Sequence, residues 1–365
     1  MSGSDCLLQQ ITSGLFAQEL SASDWDSASF PLLASMDWLS GCNLRCRHCF
    51  MRYPGATPTA MPTHDVARML EILRDLGVLF LVITGGEPLA RQDFKPLYLK
   101  AKRCGFVLTL FSNGTLLDDD VLDFLADAPP RRVEITIYGH TEGVYEAVTG
   151  VPGSFRRFRH GVEGLLRRGM LLRLKSMVMR TNVHELDDMR DWAIGLGCDF
   201  RYDAIIHPCW NGDRAPLRER LAPAAVAEMQ REDGERLGPG NPVPPLPQEV
   251  PARRSFLECG AGIMTLHVDG QLLAHPCMSW REDPFDLVRH PATSAWRAYV
   301  DAIRNRPAPG GRCDTCRDRA VYCLCCPALA LLETGDPAGA PPFLCALAEE
   351  KRKRRQSDLA LPARP

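Results

Sequence analysis

Three cysteines stand close together near the amino end of the chain, at Cys42, Cys46 and Cys49. Their C-x3-C-x2-C spacing follows a largely hydrophobic run, Leu32 to Leu39, that predicts a buried strand. Four-iron clusters are normally held by four thiolates, so three thiolates on one loop predict a cluster with one iron open to another ligand. A zinc site and buried free cysteines are the alternatives, although Cys42 adds a thiol at a spacing that a zinc knuckle does not use.

A second motif, Gly85-Gly86-Glu87-Pro88, follows the second predicted strand. Its glycines allow the backbone to approach a ligand closely, and Glu87 offers a carboxylate to an ammonium group. Together the two motifs resemble those of the radical S-adenosylmethionine (SAM) enzymes. The resemblance implies that the three cysteines hold a [4Fe-4S] cluster whose open iron binds SAM, and that Gly85 to Pro88 bind the methionine part of SAM. It also implies reductive cleavage of SAM to methionine and a 5′-deoxyadenosyl radical, which takes a hydrogen atom from the substrate.

The composition limits the classes of protein to which the chain can belong. Its 365 residues suit one large and one small domain, and 45% hydrophobic with 24% charged residues excludes global disorder. A net charge of −2 gives no indication of a nucleic-acid partner. No apolar run approaches the ~20 residues that a membrane span needs. Most of the fifteen cysteines cluster at two places and no signal peptide opens the chain, which favours metal clusters in the cytoplasm over disulfides.

Short apolar runs alternate with amphipathic helices from Leu32 onward, which is typical of a parallel α/β sheet. The predicted strands are Leu32 to Leu39, Val78 to Thr84, Phe106 to Phe111, Val133 to Tyr138, Leu171 to Met179 and Phe200 to Ile206. Six units in about 175 residues are too few to close an eight-unit barrel, which takes ~250. The sequence therefore predicts an α/β fold with an open, partial (β/α)6 TIM-like barrel, the architecture that the resemblance also implies.

Polar side chains stand at the ends of the later strands, where ligands of parallel barrels gather. The resemblance implies that such positions hold the ribose and carboxylate of SAM, while an ordinary turn or surface role is the alternative for each. Asp203 is the nearest candidate for a carboxylate base, and Tyr138 and Cys209 are further candidates for the chemistry, Cys209 as a ligand or a hydrogen donor. The candidate SAM contacts beyond Pro88 are Ser112, Asn113, Thr136, Lys175 and Asn182.

A second group of cysteines lies in the last third of the chain and resembles the SPASM extension, which holds two auxiliary [4Fe-4S] clusters. A structural zinc domain is the alternative. By position, the resemblance assigns the outer cluster to Cys313, Cys316, Cys323 and Cys345, and the inner cluster to Cys259, Cys277 and Cys326, with Cys325 as a rival or fourth ligand. The spacing departs from the family pattern before Cys277, before Cys323 and at the adjacent Cys325-Cys326 pair. Without a fourth thiolate, the inner cluster would have an open iron for substrate.

These features divide the chain into five parts. They are an N-terminal arm over residues 1–31, the barrel over 32–237, a proline-rich linker over 238–255, the small SPASM domain over 256–350 and a basic tail over 351–365. The arm is too short for the winged-helix leader-binding domain with which many related enzymes begin. We therefore expect either that a separate protein presents the substrate or that the barrel and SPASM domain hold it unaided.

The segments Ile135 to Gly139, Tyr145 to Phe155 and Asp203 to Arg220 resemble SPASM enzymes that modify ribosomally made peptides. That resemblance implies a precursor peptide as substrate, a crosslink, thioether, epimer or similar product, and a reductant such as flavodoxin or ferredoxin. The enzyme alternatives are a sulfatase-maturing enzyme that forms formylglycine and a haem-pathway enzyme acting on a porphyrin. A non-catalytic iron-sulfur electron carrier, which would not bind SAM, is the alternative of another class.

Overall fold

The computed structural model describes residues 30–51, 60–236, 256–307, 311–319, 321–323 and 326–360. Nearly all of the predicted arm, the whole predicted linker and Cys325 lie outside the described residues. The division into five parts therefore stays a prediction. The cysteine loop, the six βα units and most of the C-terminal cysteines are described.

Six parallel strands alternate with helices in the first two thirds of the chain. The strands are β1 (Leu33–Leu39), β2 (Phe80–Gly85), β3 (Val107–Ser112), β4 (Arg132–Thr136), β5 (Leu172–Met177) and β6 (Asp199–Asp203). The helices are α1 (Thr63–Asp75), α2 (Phe94–Arg103), α3 (Asp119–Asp127), α4 (Glu142–Thr149), α5 (Ser154–Arg167), α6 (Leu186–Gly195) and α7 (Pro223–Arg236).

The helices form where apolar residues recur at helical spacing. In α1 the buried side chains are Val66, Met69, Leu70 and Leu73, and Gly77 follows in a positive-φ conformation that ends the helix. Short 3₁₀ turns occur at Pro88–Ala90, Val183–Glu185 and Ala215–Glu219. No helix within the described ranges has the length and apolar character needed to cross a bilayer.

The six strands pair in chain order, with β6 at one edge of the sheet and β1 at the other end of the series. All five pairings among them are parallel, which confirms the predicted partial barrel. Strands β4, β5 and β6 end two or three residues before the predicted positions. There, side chains take the place of the backbone hydrogen bonds between strands. The Asn182 amide donates to the carbonyls of Tyr138 and Met177, and the Asp203 carboxylate accepts from the Ile205 N–H.

Alternate residues of the strands face opposite sides of the sheet. On β1, Ala34, Met36 and Trp38 join the main hydrophobic core with the buried faces of the helices. Ser35 and Asp37 belong to the other face, which lines the open interior of the barrel. The interior holds a small apolar cluster of Leu33, Val82 and Phe111 on β1 to β3 and ion pairs on β4 to β6.

The C-terminal region adds two strands that were not predicted. Strand β7 (Thr265–Val268) pairs parallel with β1, and β8 (Ala274–His275) pairs antiparallel with β7. Three helices follow, α8 (Thr293–Arg304), α9 (Pro327–Thr334) and α10 (Pro342–Ala360). The predicted basic tail begins inside α10, where Arg354 forms an ion pair with Glu228 of α7 at 2.5 Å. The basic run is thus part of a packed helix up to residue 360.

Candidate active site

The cysteine loop leaves the end of β1 and is held by the end of α4. The N–H groups of Arg45 and Arg47 donate to the carbonyls of Thr149 and Val148 at 2.8 and 3.2 Å. These last carbonyls of a helix have no partner within the helix, so the loop satisfies them. The three thiols are thereby fixed on one short, anchored segment.

The pKa values of two of the three thiols are raised. Burial raises the pKa of the Cys42 thiol to about 11, and burial with the neighbouring Cys49 and Cys42 sulfurs raises that of Cys46 further. A bound cation reverses this effect, because a thiol that coordinates a metal loses its proton. The Leu44 N–H and the Asn113 amide donate to the Cys42 sulfur at 3.4 and 3.6 Å, and no disulfide joins any cysteine in the described ranges. The loop therefore suits the cluster that its spacing predicts.

The two glycines after β2 pack against the backbone of the cysteine loop. Gly85 has a φ of +128°, and a Cβ on it would lie 2.3 Å from the carbonyl oxygen of Leu39. A Cβ on Gly86 would lie 2.1 Å from the carbonyl oxygen of Gly41. The N–H groups of Gly86 and Glu87 donate to the same two carbonyls, at 2.7 and 3.0 Å. In this structure the close approach that the glycines permit is thus between two segments of the chain itself.

Glu87 is fully buried and its carboxylate accepts three hydrogen bonds. The donors are the Leu89 N–H at 3.1 Å, the Ser112 hydroxyl at 2.9 Å and the Asn113 N–H at 2.7 Å. Burial raises the pKa of Glu87 to about 7 despite these bonds. The Glu87 carboxylate connects the end of β2 to the end of β3. It also caps the 3₁₀ turn that begins at Pro88. Contact between Glu87 and SAM stays a prediction.

The pKa of Glu87 leads to a pH dependence of stability. The folded-state pKa of Glu87 lies above the ordinary 4.5. Between pH 4.5 and about pH 7, the folded chain therefore keeps a proton on Glu87 that the unfolded chain has lost. We expect the free energy of unfolding to fall as the pH rises from about 4.5 to about 7, by up to ~3 kcal/mol from this group. Urea unfolding of the wild type and Glu87→Gln at about pH 5 and about pH 7.5 measures it. An equal decline in both proteins would show that other groups set the pH dependence.

A polar network joins the end of β3 to the cysteine loop. The Asn113 amide donates to the side-chain oxygen of Asn43 at 2.9 Å, and its own oxygen accepts from the backbone and hydroxyl of Thr115. The Asn43 amide donates a hydrogen bond to the Thr115 hydroxyl at 2.8 Å. Ser112 is buried beneath this network and accepts from the Gly114 N–H. Ser112 and Asn113 therefore position the loop that carries Cys42.

The predicted contacts on β4 and β5 divide into two groups. Tyr138 lies at the mouth, where its ring is 5.3 Å from that of His48 and its side chain opposes the rise in the pKa of the Cys46 thiol. Lys175 lies lower, with its ammonium 3.7 Å from Glu134 and 3.1 Å above the ring of Phe111, and burial lowers its pKa to about 8. Thr136 is the register partner of Lys175 at the end of β4. The structure thus brings Tyr138, but not Lys175, to the thiols.

Asn182 is completely buried and uses its amide within the protein. It binds the N–H of Met179 and the carbonyls of Tyr138 and Met177 at 2.8 to 3.1 Å. These bonds hold the ends of β4 and β5 together. A SAM contact from this side chain stays a prediction.

The segment after β6 forms one wall of the site. The Cys209 sulfur lies 3.7 Å from the carbonyl oxygen of Cys49, and burial raises the pKa of this thiol to about 11. The ring of Phe50 lies 4.9 Å from that of His207 and 5.0 Å from that of Trp210. Cys209 is therefore next to the third cysteine of the loop, as its candidate role requires.

A cavity of about 130 Å³ lies between the cysteine loop, the ends of β5 and β6, and the C-terminal region. The loop contributes His48 and Phe50, and the strand ends contribute Met177 and Asp203. The remaining walls are largely apolar and include Cys323 and Cys326. The predicted base and two of the C-terminal cysteines thus border the same space as the cysteine loop.

The C-terminal cysteines lie in two regions, and their assignment to two auxiliary clusters stays a prediction. Cys313 and Cys316 are close enough to Cys345 to raise its pKa, after burial as the main cause. Cys277 and Cys326 share a small core with Trp280, whose N–H donates to the Cys277 sulfur at 3.4 Å. Cys259 is exposed. Within the described residues no three His, Cys, Asp or Glu side chains are arranged around one metal ion.

The aromatic wall was missed at the sequence level. Phe50, His207 and Trp210 border the cavity, and so does His48, whose pKa burial and the nearby His207 lower to about 4. Their positions in the sequence were the one available signal. His48 and Phe50 flank Cys49, and His207 and Trp210 lie on either side of Cys209. Arg281, whose guanidinium lies 3.6 Å above the Trp210 ring, gave no signal because it belongs to the distant C-terminal region.

Comparison with known proteins agrees with these features. Residues 37–193 match the model of the radical SAM superfamily. The chain is 27% identical over 210 residues to the AdoMet-dependent heme synthase of Methanosarcina barkeri. This alignment covers 55% of this chain and 59% of that protein. It is 27% identical over 341 residues to the pre-heme d1 synthase of Dinoroseobacter shibae, covering 81% of each. It is 25% identical over 337 residues to the PqqA peptide cyclase of Bradyrhizobium diazoefficiens, covering 88% of each.

Two solved structures share the fold. Streptococcus suis SuiB bound to precursor peptide SuiA gives a TM-score of 0.66 at 16% identity, over 88% of this chain and 77% of that one. Native anSMEcpe with bound AdoMet gives a TM-score of 0.60 at 15% identity, over 90% of this chain and 99% of that one. The similarity extends beyond the barrel into the C-terminal region.

Proposed function

We propose that this chain, whose residues 37–193 match the radical SAM superfamily, acts on a ribosomally made precursor peptide and installs a crosslink, a thioether, an epimerised residue or a similar modification. A relative named as a peptide cyclase and a neighbouring structure holding its precursor peptide support a peptide substrate. The observation that carries the proposal is the cavity, which lies between the cysteine loop and two of the C-terminal thiols, Cys323 and Cys326.

The residues of the chain have separable tasks in this proposal. Cys42, Cys46 and Cys49 would hold the SAM-binding cluster, which when bound supplies the electron that splits SAM into methionine and a 5′-deoxyadenosyl radical. Phe50 and Trp210 would exclude water from the cavity, which protects a radical from side reactions.

The C-terminal thiols would serve electron transfer. A new bond formed from a substrate radical leaves one electron in excess, and a nearby cluster of suitable potential accepts it. Cys323 and Cys326 border the cavity, so a centre held near them would lie within short range of a substrate residue. Asp203, on the same wall, is the candidate to receive a proton from the substrate.

A haem-pathway activity is the second candidate, favoured by the two relatives named as heme-related synthases. The peptide is the first candidate because a relative named as a peptide cyclase aligns over 88% of this chain and a structure bound to its precursor peptide shares the fold.

Anoxically reconstituted protein, SAM and dithionite test the proposal. We expect 5′-deoxyadenosine, and with short peptides encoded beside the gene we expect a change of peptide mass together with transfer of substrate deuterium into 5′-deoxyadenosine. Absence of SAM cleavage in protein that contains its cluster would indicate an electron carrier. Consumption of a porphyrin but of no peptide would establish the second candidate, and formation of formylglycine in a sulfatase peptide would redirect the proposal to that alternative.

The metal content is expected to be about twelve irons per chain, since three cubanes of four irons are proposed. The thiol groups around Cys345 and around Cys277 are the basis for the two auxiliary clusters. Iron and zinc in the purified anoxic protein are measured by mass spectrometry of the metals. About four irons together with bound zinc would contradict the auxiliary clusters and favour the zinc alternative.

A further inference from the structure

The Asn113 side chain, at the end of β3, donates a hydrogen bond to one of the three thiols of the cysteine loop. Its amide nitrogen lies 3.6 Å from the Cys42 sulfur and 2.9 Å from the side-chain oxygen of Asn43. An amide NH2 group has two hydrogens, so it can serve both acceptors at once. The Leu44 N–H donates to the same sulfur at 3.4 Å. Cys42 therefore receives one donor from its own loop and one from the end of a different strand.

The orientation of the Asn113 amide is fixed by its neighbours. Its oxygen accepts from the Thr115 N–H at 2.9 Å, and this backbone donor would face two further donor hydrogens if the amide were turned over. The backbone N–H of Asn113 donates to the Glu87 carboxylate at 2.7 Å, which holds the residue from the other side. Because Asn113 is 7% exposed, water competes little for its amide. The contact with the Cys42 sulfur is thus held by bonds on both sides of Asn113.

A donor at this place acts on the charge of a metal-bound sulfur. As a thiol, Cys42 lies 3.8 Å from the Asn43 side-chain oxygen and can donate to it. A thiol that coordinates a metal loses its proton, and its sulfur then only accepts. Reduction of an iron-sulfur cluster by one electron adds negative charge to the cluster and its sulfurs. Hydrogen bonds to these sulfurs stabilise the added charge and therefore raise the reduction potential.

From this geometry we propose that Asn113 raises the reduction potential of the SAM-binding cluster through its hydrogen bond to the Cys42 sulfur. Asn113 acts through Cys42, so it is a positioning residue that makes the one-electron reduction of the cluster easier. This role differs from the contact with SAM that the sequence predicts for Asn113, because it operates before SAM is bound. The inference rests on the cluster that the proposed function assigns to the cysteine loop, and not on the substrate.

Redox titration of the full-length, anoxically reconstituted protein without SAM tests the inference. The SAM-binding cluster is identified by its electron paramagnetic resonance signal, which changes when SAM is added afterwards. We expect Asn113→Leu, which removes the donor without adding charge, to lower the equilibrium constant for reduction about tenfold, or ~59 mV for one electron. Asn113→Asp, which keeps the shape of the side chain and the acceptor for Thr115, should lower the potential further because its carboxylate repels the added electron.

Thr115→Val is the matched control. The Thr115 hydroxyl bonds to the side chains of Asn113 and Asn43 at 2.6 and 2.8 Å, so its removal weakens the same network. The Asn113 amide keeps its hydrogens toward Cys42 in this variant, and the potential should stay close to that of the wild type. Iron content is measured in every sample. A purely structural role would lower the iron content of both variants, leave the potential of the remaining clusters unchanged, and thereby overturn the inference.

Equal potentials of the wild type and Asn113→Leu at equal iron content would overturn the inference and leave the proposed function standing. Weaker binding of SAM by Asn113→Leu at an unchanged potential would also overturn it and would favour the SAM contact instead. Absence of SAM cleavage by a wild type whose cluster is reduced would contradict the proposed function without altering the measured potentials. A wild type without any signal that responds to SAM would overturn both.

Discussion

Replacing Cys42, Cys46 and Cys49 together by alanine is expected to abolish the formation of 5′-deoxyadenosine. Burial and the sulfur of Cys49 raise the pKa of the Cys42 and Cys46 thiols, and the loop receives N–H···S bonds and is anchored to α4. Removal of the thiols takes away all three predicted ligands of the SAM-binding cluster, so the loss should be complete and not partial. The measurement is 5′-deoxyadenosine by mass spectrometry with SAM and dithionite, together with the iron content.

The matched control is Cys104→Ala with Cys198→Ala. Both residues are buried in the main core away from the loop, so cleavage of SAM should persist at a rate close to that of the wild type. In the triple variant, iron at the C-terminal sites should remain. Cleavage of SAM by a triple variant that keeps its fold would refute the assignment of the loop.

Arg220→Met is expected to destabilise the protein by about 3–5 kcal/mol, because it leaves a buried carboxylate without its cation. Arg220 Nη2 lies 2.7 Å from Glu333 on α9, and the two side chains are 10% and 4% exposed. The same guanidinium donates to the carbonyl of Ile206 at 2.6 Å and lies 4.3 Å from the ring of Phe343. It therefore joins the segment after β6 to two C-terminal helices. Urea unfolding of the variant measures the loss.

The double variant Arg220→Met/Glu333→Met should recover much of this loss, since a buried pair exchanged for apolar side chains is often nearly neutral. Arg74→Gln, which breaks an exposed pair on α1, should unfold like the wild type. If Arg220→Met unfolds like Arg74→Gln, the pair does not attach the C-terminal region to the barrel.

The sequence predicted the barrel and the cysteine loop because both depend on local patterns. The alternation of apolar strands with amphipathic helices follows from the two faces that each element buries, and it gave all six parallel strands. The spacing of Cys42, Cys46 and Cys49 placed three thiols on one loop after β1. Gly85 and Gly86 were recognised by type, although the backbone they approach in this structure belongs to Leu39 and Gly41.

The remainder depends on contacts between distant segments, which a local pattern does not contain. The contact of Glu87 with an ammonium group stays a prediction, and its bonds to Ser112 and Asn113, at the end of the next strand, carried no local signal. Strand β7 has four residues and pairs with β1 because Leu33 to Met36 present a suitable edge. The ion pairs of Arg173 with Glu134 and Asp199 connect β4, β5 and β6, so no single segment indicates them.

The pairing of β7 with β1 has a consequence for biosynthesis. Ser35 on β1 and His267 on β7 are hydrogen-bonded at 2.8 Å although 232 positions separate them. A ribosome adding ~5–20 residues per second reaches His267 on the order of ten to fifty seconds after Ser35. During that interval one side of β1 is an unprotected edge of the kind that associates with other chains. Insertion of iron and sulfide before translation ends would therefore act on a nascent barrel that still lacks its last parallel strand.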